Sequence, residues 1–426
     1  MINWKTYKLC DLCKITSSKR IFAKEYKDTG IPFYRGKEII EKQKGNKIST
    51  ELFISQERYD EIKTKHGVPQ KDDMLLTSVG TLGIPYIIME NEVFYFKDGN
   101  ITWFYDFNGL DSRFLYYWFL SPIGRQMIDS KAIGSTQKAL TIEMMSKFEI
   151  TLPSLEEQKK IAGILGAIDD KIENNRRINT NLELQAKALY KQWFVDFEFP
   201  NEEGKPYKSS GGKMLDSELG PIPEGWSVGK LEDIGDIIGG GTPSKAVAEF
   251  YTKNGIAWIT PKDLSVSHSK FTAKGETDIT ELGYKNSSAK IMPRGSVLFS
   301  SRAPIGYISI AKNDICTNQG FKSVVPNNGC TAFVYYFLLS NTENIESKAT
   351  GSTFKEASGA LMKSLDLVIP SEDILEKFEN IMSPIFESQE KFEAENETLA
   401  TLRDTLLPKL MSGELKISEY EIHISR

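Results

Sequence analysis

The chain repeats itself, and no other feature restricts its fold as much. Trp4 aligns with Trp226, "IPFYRGKEI" (31 to 39) with "IAWITPKDL" (256 to 264), and "DMLLTSVGTLG" (73 to 83) with "SVLFSSRAPIG" (296 to 306). "FLYYWFLS" (114 to 121) aligns with "FVYYFLLS" (333 to 340), "GSTQKAL" (134 to 140) with "GSTFKEA" (351 to 357), and "ITLPS" (150 to 154) with "LVIPS" (367 to 371). The matches are collinear and their offset drifts only between 217 and 225, which is how a duplication with loop insertions looks. Two copies of one globular unit follow, each with its own core, and 426 residues are enough to build both.

Within each copy, short β-branched and aromatic runs ("MLLTSV", "PYIIM"; "SVLFSS", "YISIA") are separated by Gly and Pro. They predict strands. The near-continuously apolar "SRFLYYWFL" and "TAFVYYFLL" predict buried helices packed on the sheet, so each copy is expected to be mixed α/β (α+β).

After each copy the hydrophobic period becomes helical. From Ile161 the heptad walk gives Leu165, Ile168, Ile172, Asn175, Asn179, Leu182, Ala186, Leu189 and Trp193. From Phe378 it gives Met382, Ile385, Gln389, Phe392, Asn396, Leu399, Arg403, Leu406 and Leu410. Each stripe is roughly 48 Å long at 1.5 Å per residue. Ser154 with Glu157, and Ser371 after Pro370, predict N-caps; Gly413 predicts the end of the second helix. Mutual burial requires an antiparallel two-helix coiled coil, which places the two copies in a pseudo-two-fold arrangement at its opposite ends. Asn175, Asn179, Asn396 and Arg403 in the seams would fix its register. The expected organisation is a head over 1–153, a helix over 154–199, a linker over 200–225, a head over 226–370, a helix over 371–413 and a tail over 414–426.

Charge is uneven. The net charge of −5 argues against nucleic acid only until it is partitioned. Residues 1–153 carry 22 basic and 19 acidic side chains and residues 221–370 carry 15 and 14, whereas residues 371–426 carry 6 and 13. The acid of the second helix (Glu372, Glu376, Glu379, Glu387, Glu390, Glu393) reads most simply as a solvated face, with a basic partner surface as the alternative. Cys10, Cys13, Cys316 and Cys330 lack zinc spacing, and His66, His268 and His423 are too scattered for a metal site or triad. No metal is expected. No apolar run reaches membrane-spanning length and the polar start lacks a signal-peptide core, so a cytoplasmic protein is expected. There is no Walker motif and no Asp/Asn-Pro-Pro-aromatic tetrad. "DIIGGGTPSK" (236 to 245) has the wrong spacing for a nucleotide loop and is expected to be a flexible polar loop, like "TSSKR" (16 to 20).

The segments "LPSLEEQKKIAGILGAIDDKIENNRRIN" (152 to 179), "LYKQWFVDFEFP" (189 to 200), "GKPYKSSGGKMLDSELGPIPEGW" (204 to 226) and "LLPKLMSGEL" (406 to 415), with the repeated GST stretch, resemble the specificity (S) subunits of type I restriction-modification systems. The resemblance spans nearly the whole chain. It implies a non-catalytic subunit whose two target-recognition domains each read half of a bipartite double-stranded DNA site around an unread spacer. It further implies that the helices dock two methyltransferase subunits for N6-adenine methylation and that restriction/translocase subunits join for cleavage. No cofactor is expected on this chain itself; S-adenosylmethionine, ATP and Mg are expected on the partner subunits.

Base readout needs donors and acceptors at base edges, and phosphate contacts fix register. In the first copy the expected DNA-binding residues are Lys19, Arg20, Arg35, Lys37, Thr77, Ser78, Ser135, Thr136, Gln137 and Lys138. In the second they are Thr242, Ser244, Lys245, Thr260, Lys262, Ser300, Ser301, Arg302, Asn318, Gln319, Ser352, Thr353 and Lys355. Taken singly, each is more readily a solvated side chain or a turn-forming hydroxyl. Recurrence in both copies singles out the set. The GST stretch reads as a phosphate grip that both copies keep. Arg35 against Thr260, and Val79 against Arg302, mark divergence, with Arg302 expected to read guanine. The competing reading is a coiled-coil scaffold with two protein- or glycan-binding heads, which explains the acidic total better and the repeated polar loops worse.

Overall fold

The computed structural model describes residues 4–45, 48, 50–134, 138–267, 269–351 and 355–417. Two compact units emerge, one made of residues 1–174 with 396–426 and the other of residues 175–395. Each contains one copy of the repeat and a portion of both long helices, Leu155–Tyr190 and Glu372–Met411.

The duplication is exact enough to preserve sheet order. In the first unit the strands lie as Lys14–Thr16, Ile101–Tyr105, Met74–Thr77, Pro85–Ile87, all antiparallel. The second unit repeats this as Gly235–Gly239, Lys322–Pro326, Val297–Ser301, Ile305–Ala311 and adds Phe271–Thr272 as a parallel edge strand. A parallel pair recurs beside each sheet: Ile31–Tyr34 with Tyr95–Phe96, and Trp258–Ile259 with Cys316–Thr317. The first strand of each copy also closes on its last, Lys5–Lys8 on Glu149–Leu152 and Ser227–Lys230 on Asp366–Ile369. The expected apolar helices are Ser112–Leu120 and Thr331–Lys348, both largely buried. Mixed α/β units, duplicated, are what the sequence implied.

The heptad stripes are the inner faces of the long helices: every stripe position is buried or half-buried. In the second unit Asn175 Nδ2 donates to Glu395 Oε2 at 2.9 Å and Asn179 Nδ2 to the Gln389 carbonyl at 3.2 Å, so one helix descends as the other ascends. The seam there is antiparallel, and Gln389 returns a bond to the Asn179 carbonyl at 3.3 Å. In the first unit Ile161 and Leu165 share a core with Leu407 and Leu410, and Arg403 meets Asp169 at 2.8 Å. Ser154 Oγ accepts the Glu157 N–H at 3.2 Å as an N-cap of the first helix, and Gly413 takes φ 72° just past the second; the first helix ends at Tyr190 and passes into a wider turn over Lys191–Val195.

Three expectations change. "IIGGG" is not a flexible loop: it ends the strand Gly235–Gly239, and a Cβ on Gly240 would sit 1.9 Å from the Asn318 carbonyl. Glycine is there because two backbones touch. The stretch after the first long helix is more than a linker, since Phe199 stacks on Trp226 at 4.9 Å and on Tyr207 at 4.6 Å. The acidic helix is not wholly a solvated face either. Glu379 accepts the N–H groups of Ala332 and Phe333 (3.1 and 2.9 Å), Glu390 pairs with Arg294 (2.7 Å), and Glu393 accepts the Lys270 N–H (3.1 Å). Half of that acid fastens the second copy to its helix.

Candidate functional site

The central strand of each sheet ends in a turn built around one hydroxyl. Thr77 Oγ1 donates to the Thr81 carbonyl (2.6 Å) and accepts the Ile84 N–H (2.9 Å). Ser300 Oγ donates to the Pro304 carbonyl (2.8 Å) and accepts the Tyr307 N–H (2.8 Å). The next residue receives the GST segment: Leu140 N–H bonds to the Ser78 carbonyl and Ala357 N–H to the Ser301 carbonyl, both at 2.9 Å. The bridges Ile133–Ala139 and Thr350–Glu356 occupy equivalent flanking positions in the two copies.

Thr77, Ser78, Ser300 and Ser301 were expected to face DNA. They are between 0 and 2 % exposed, and Ser78 Oγ lies 2.6 Å from Thr102 Oγ1, so they belong to the framework instead. For Thr77, Ser78 and Ser300 the hydroxyl is retained because it satisfies backbone groups, whereas the buried Ser301 hydroxyl has no hydrogen-bond partner among the described residues. Ser135, Thr136, Gln137, Ser352 and Thr353 lie outside the described residues; the flanking Lys138 and Lys355 are exposed.

Beside each turn lies an open cleft lined by equivalent positions. In the first unit it takes in Arg35, Lys37, Lys44, Val79, Thr81 and Asn100. In the second it takes in Lys245, Thr260, Lys262, Arg302, Asn318 and Gly320. Arg35 and Thr260 precede the helices Gly36–Gln43 and Pro261–Ser267. The acid three positions on accepts their N–H: Glu38 from Arg35 at 2.8 Å, Asp263 from Thr260 at 2.7 Å. Glu38 also holds the Arg35 guanidinium at 2.7 Å, and burial of that carboxylate is outweighed by these bonds, leaving it below the usual carboxylate range. The cations at the rim have acidic neighbours as well, Lys262 on Glu276 at 2.8 Å and Lys37 near Glu41 at 3.7 Å. A polyanion would have to displace exposed pairs of little individual strength.

Other expected residues stand apart from these clefts. Arg20 pairs with Asp98 at 3.0 Å, and Lys19 contributes its N–H to Tyr95 OH at 2.7 Å while its side chain stays exposed. Thr242 bonds Gln319, and Ser244 is exposed. Reading the residues individually overlooked Lys44, Asn100, Glu276, Lys322 and Glu356. Glu356 was visible, since it aligns with Ala139 inside the repeated GST stretch. Among the described residues no group of three His, Cys, Asp or Glu side chains is placed to hold a metal, and no helix is long and apolar enough to cross a membrane.

A family model described as the type I restriction modification DNA specificity domain matches residues 1–184 and 223–401. A specificity subunit of Methanocaldococcus jannaschii, from the type I restriction enzyme MjaIX, is 38 % identical over 190 residues, covering 44 % of each chain. The HindI specificity subunit of Haemophilus influenzae is 27 % identical over 335 residues, 66 % of this chain and 72 % of the relative. The chain thus matches less than half the length of the first relative and somewhat over two thirds of the second. In fold it resembles the crystal structure of a type I restriction-modification S subunit from M. genitalium, with a TM-score of 0.63 at 16 % identity over 98 % of this chain and 97 % of that one.

Proposed function

The chain belongs to the family of type I restriction-modification DNA specificity domains, and from that premise we propose that it is a non-catalytic specificity subunit reading a bipartite DNA target. Each duplicated unit reads one half-site through the cleft beside its central turn, and an unread spacer separates the half-sites. The long helices dock two methyltransferase subunits, which bring S-adenosylmethionine for N6-adenine methylation; restriction/translocase subunits with ATP and Mg join for cleavage. It works with these partners in the cytoplasm.

The observation that supports this most directly is the pair of clefts. Two sheets of one strand order present equivalent positions 35/260, 37/262 and 79/302, and each set combines cations with polar groups suited to phosphates and base edges. The near-neutral charge of each head means that the chain alone binds weakly and that its partners supply much of the phosphate clamp.

Selection of duplexes from a random library by the chain assembled with its methyltransferase subunits tests the proposal. The expected result is two short motifs at fixed separation, with affinity falling steeply as salt rises. Binding without sequence preference, or selective capture of a protein or glycan with no DNA retained, would support the scaffold reading instead.

A further inference from the structure

The duplication supplies an internal control for each position in the clefts. In the first unit Val79 and Ala139 are joined by a backbone bridge. The bond from the Leu140 N–H to the Ser78 carbonyl recurs in the second as the Ala357 N–H on the Ser301 carbonyl, but the side chains aligned with Val79 and Ala139 are Arg302 and Glu356. The neighbouring pair that is apolar in one copy is oppositely charged in the other, beside the same backbone bond.

The geometry assigns each charge a task. Glu356 Oε2 lies 3.7 Å from Arg302 Nη1, while Glu356 Oε1 lies 3.2 Å from Lys322 Nζ. Lys322 is half-buried at the start of the strand Lys322–Pro326, which pairs with the central strand, so it anchors the carboxylate. At 3.7 Å the carboxylate attracts the guanidinium without binding it in a fork, so the donors of Arg302 remain available. Arg302 is 36 % exposed and lines the cleft with Thr260 and Asn318. An unrestrained arginine samples many rotamers; one guided by a fixed anion presents its planar fork in one direction. A planar donor fork matches the O6/N7 edge of guanine in the major groove.

Resting on the specificity-subunit reading above, we propose that Glu356 is the positioning residue for Arg302. The pair gives the second half-site a guanine discrimination that the first half-site, read past Val79 and Ala139, lacks at the equivalent position.

The test is library selection by the chain with its methyltransferase subunits, comparing wild type with Arg302→Val, Glu356→Ala, Glu356→Asp and the double variant R302V/E356A. Wild type should select guanine at one position of the second half-site. Arg302→Val should lower that preference by about 10-fold or more. Glu356→Ala should lower it by several-fold with the first half-site untouched, and Glu356→Asp should restore part of it. The double variant installs the pair that the first unit already folds around, and it should lose the preference while still selecting the first half-site and the spacer. Four results would overturn the inference: no guanine in the wild-type second half-site, guanine preference surviving Arg302→Val, a Glu356→Ala variant as selective as wild type, or losses spread over both half-sites. Wild type selecting no bipartite site at all would reject the underlying reading and the inference with it.

Discussion

The two units share a backbone plan and fasten it to their helices by different chemistry. In the first unit the seam is aliphatic, with Ile161, Leu165, Leu407 and Leu410 in one core with Leu115 and Trp118, and its polar contacts include a chain from Tyr117 OH to Asp169 (2.6 Å) to Arg403 (2.8 Å). In the second the seam is aromatic: Phe378 lies 4.8 Å from Phe194, 5.7 Å from Trp193 and 6.3 Å from Tyr190. Its polar centre is Lys270, whose Nζ meets Glu183 (2.7 Å), Tyr336 (2.8 Å) and Gln389 (3.0 Å) and lies 4.0 Å from the centroid of the Phe386 ring. Burial pulls the Lys270 ammonium down to about 8 against the pull of Glu183. What the copies retain is carried by main-chain bonds and by hydroxyls that serve the main chain. Side-chain packing was free to be solved twice.

The difference breaks most decisively at Phe378, which is fully buried at the register position that Ile161 fills in the first unit. Phe378→Ala should cost about 3–5 kcal/mol, from lost burial plus the cavity left among three rings. Hydrogen exchange should show protection falling throughout residues 175–395 and holding in the first unit. Equal loss in both units would mean that the aromatic and aliphatic seams unfold as one.

A smaller, pH-dependent effect belongs to the second unit. The Glu379 carboxyl is pushed up to about 7 by burial, against the lowering pull of its bonds from Phe333 and Ala332. Asp233, Glu372, Glu376 and Cys330 line the same pocket, and among the described lining residues none is a cation that would offset the burial. Between the ordinary glutamate value and about 7 the folded chain therefore holds a proton that the unfolded chain has released. The contribution of Glu379 to stability should fall as pH rises through that window, by on the order of 1–3 kcal/mol. Glu379→Gln stays neutral and should flatten the dependence, leaving the variant more stable than the parent at pH 8 in denaturant titrations. A parent curve that rises from pH 5 to pH 7 would contradict the assignment.

How much the sequence revealed depended on which physical signal a feature leaves. The long helices were legible because a seam must be apolar every three or four residues, and its exceptions were legible as register pins because Asn179 and Arg403 have no other reason to interrupt it. The duplication was legible for the same reason, since cores repeat. The clefts were half legible: Arg35, Lys37, Thr260, Lys262 and Arg302 line them, but Glu356 and Lys322 are far apart in sequence and become neighbours only when the sheet forms. The serines and threonines misled, because a hydroxyl that recurs for the sake of a turn looks the same in sequence as one that recurs for a ligand.

That ambiguity has a direct experimental form in the smallest effect. Thr77→Val and Ser300→Ala each remove a hydroxyl that both donates and accepts, stranding the Ile84 or Tyr307 N–H and the Thr81 or Pro304 carbonyl. Where these groups cannot reach water, each variant should lose about 1–2 kcal/mol, with similar values in the two units because the bond geometry is the same. Base preference should not change, since neither hydroxyl is on the surface. A variant that kept its stability but altered one half-site would put that hydroxyl back among the readers. Unequal losses would mean that one turn has found other partners, and with them the freedom to diverge that the neighbouring positions 79 and 302 already display.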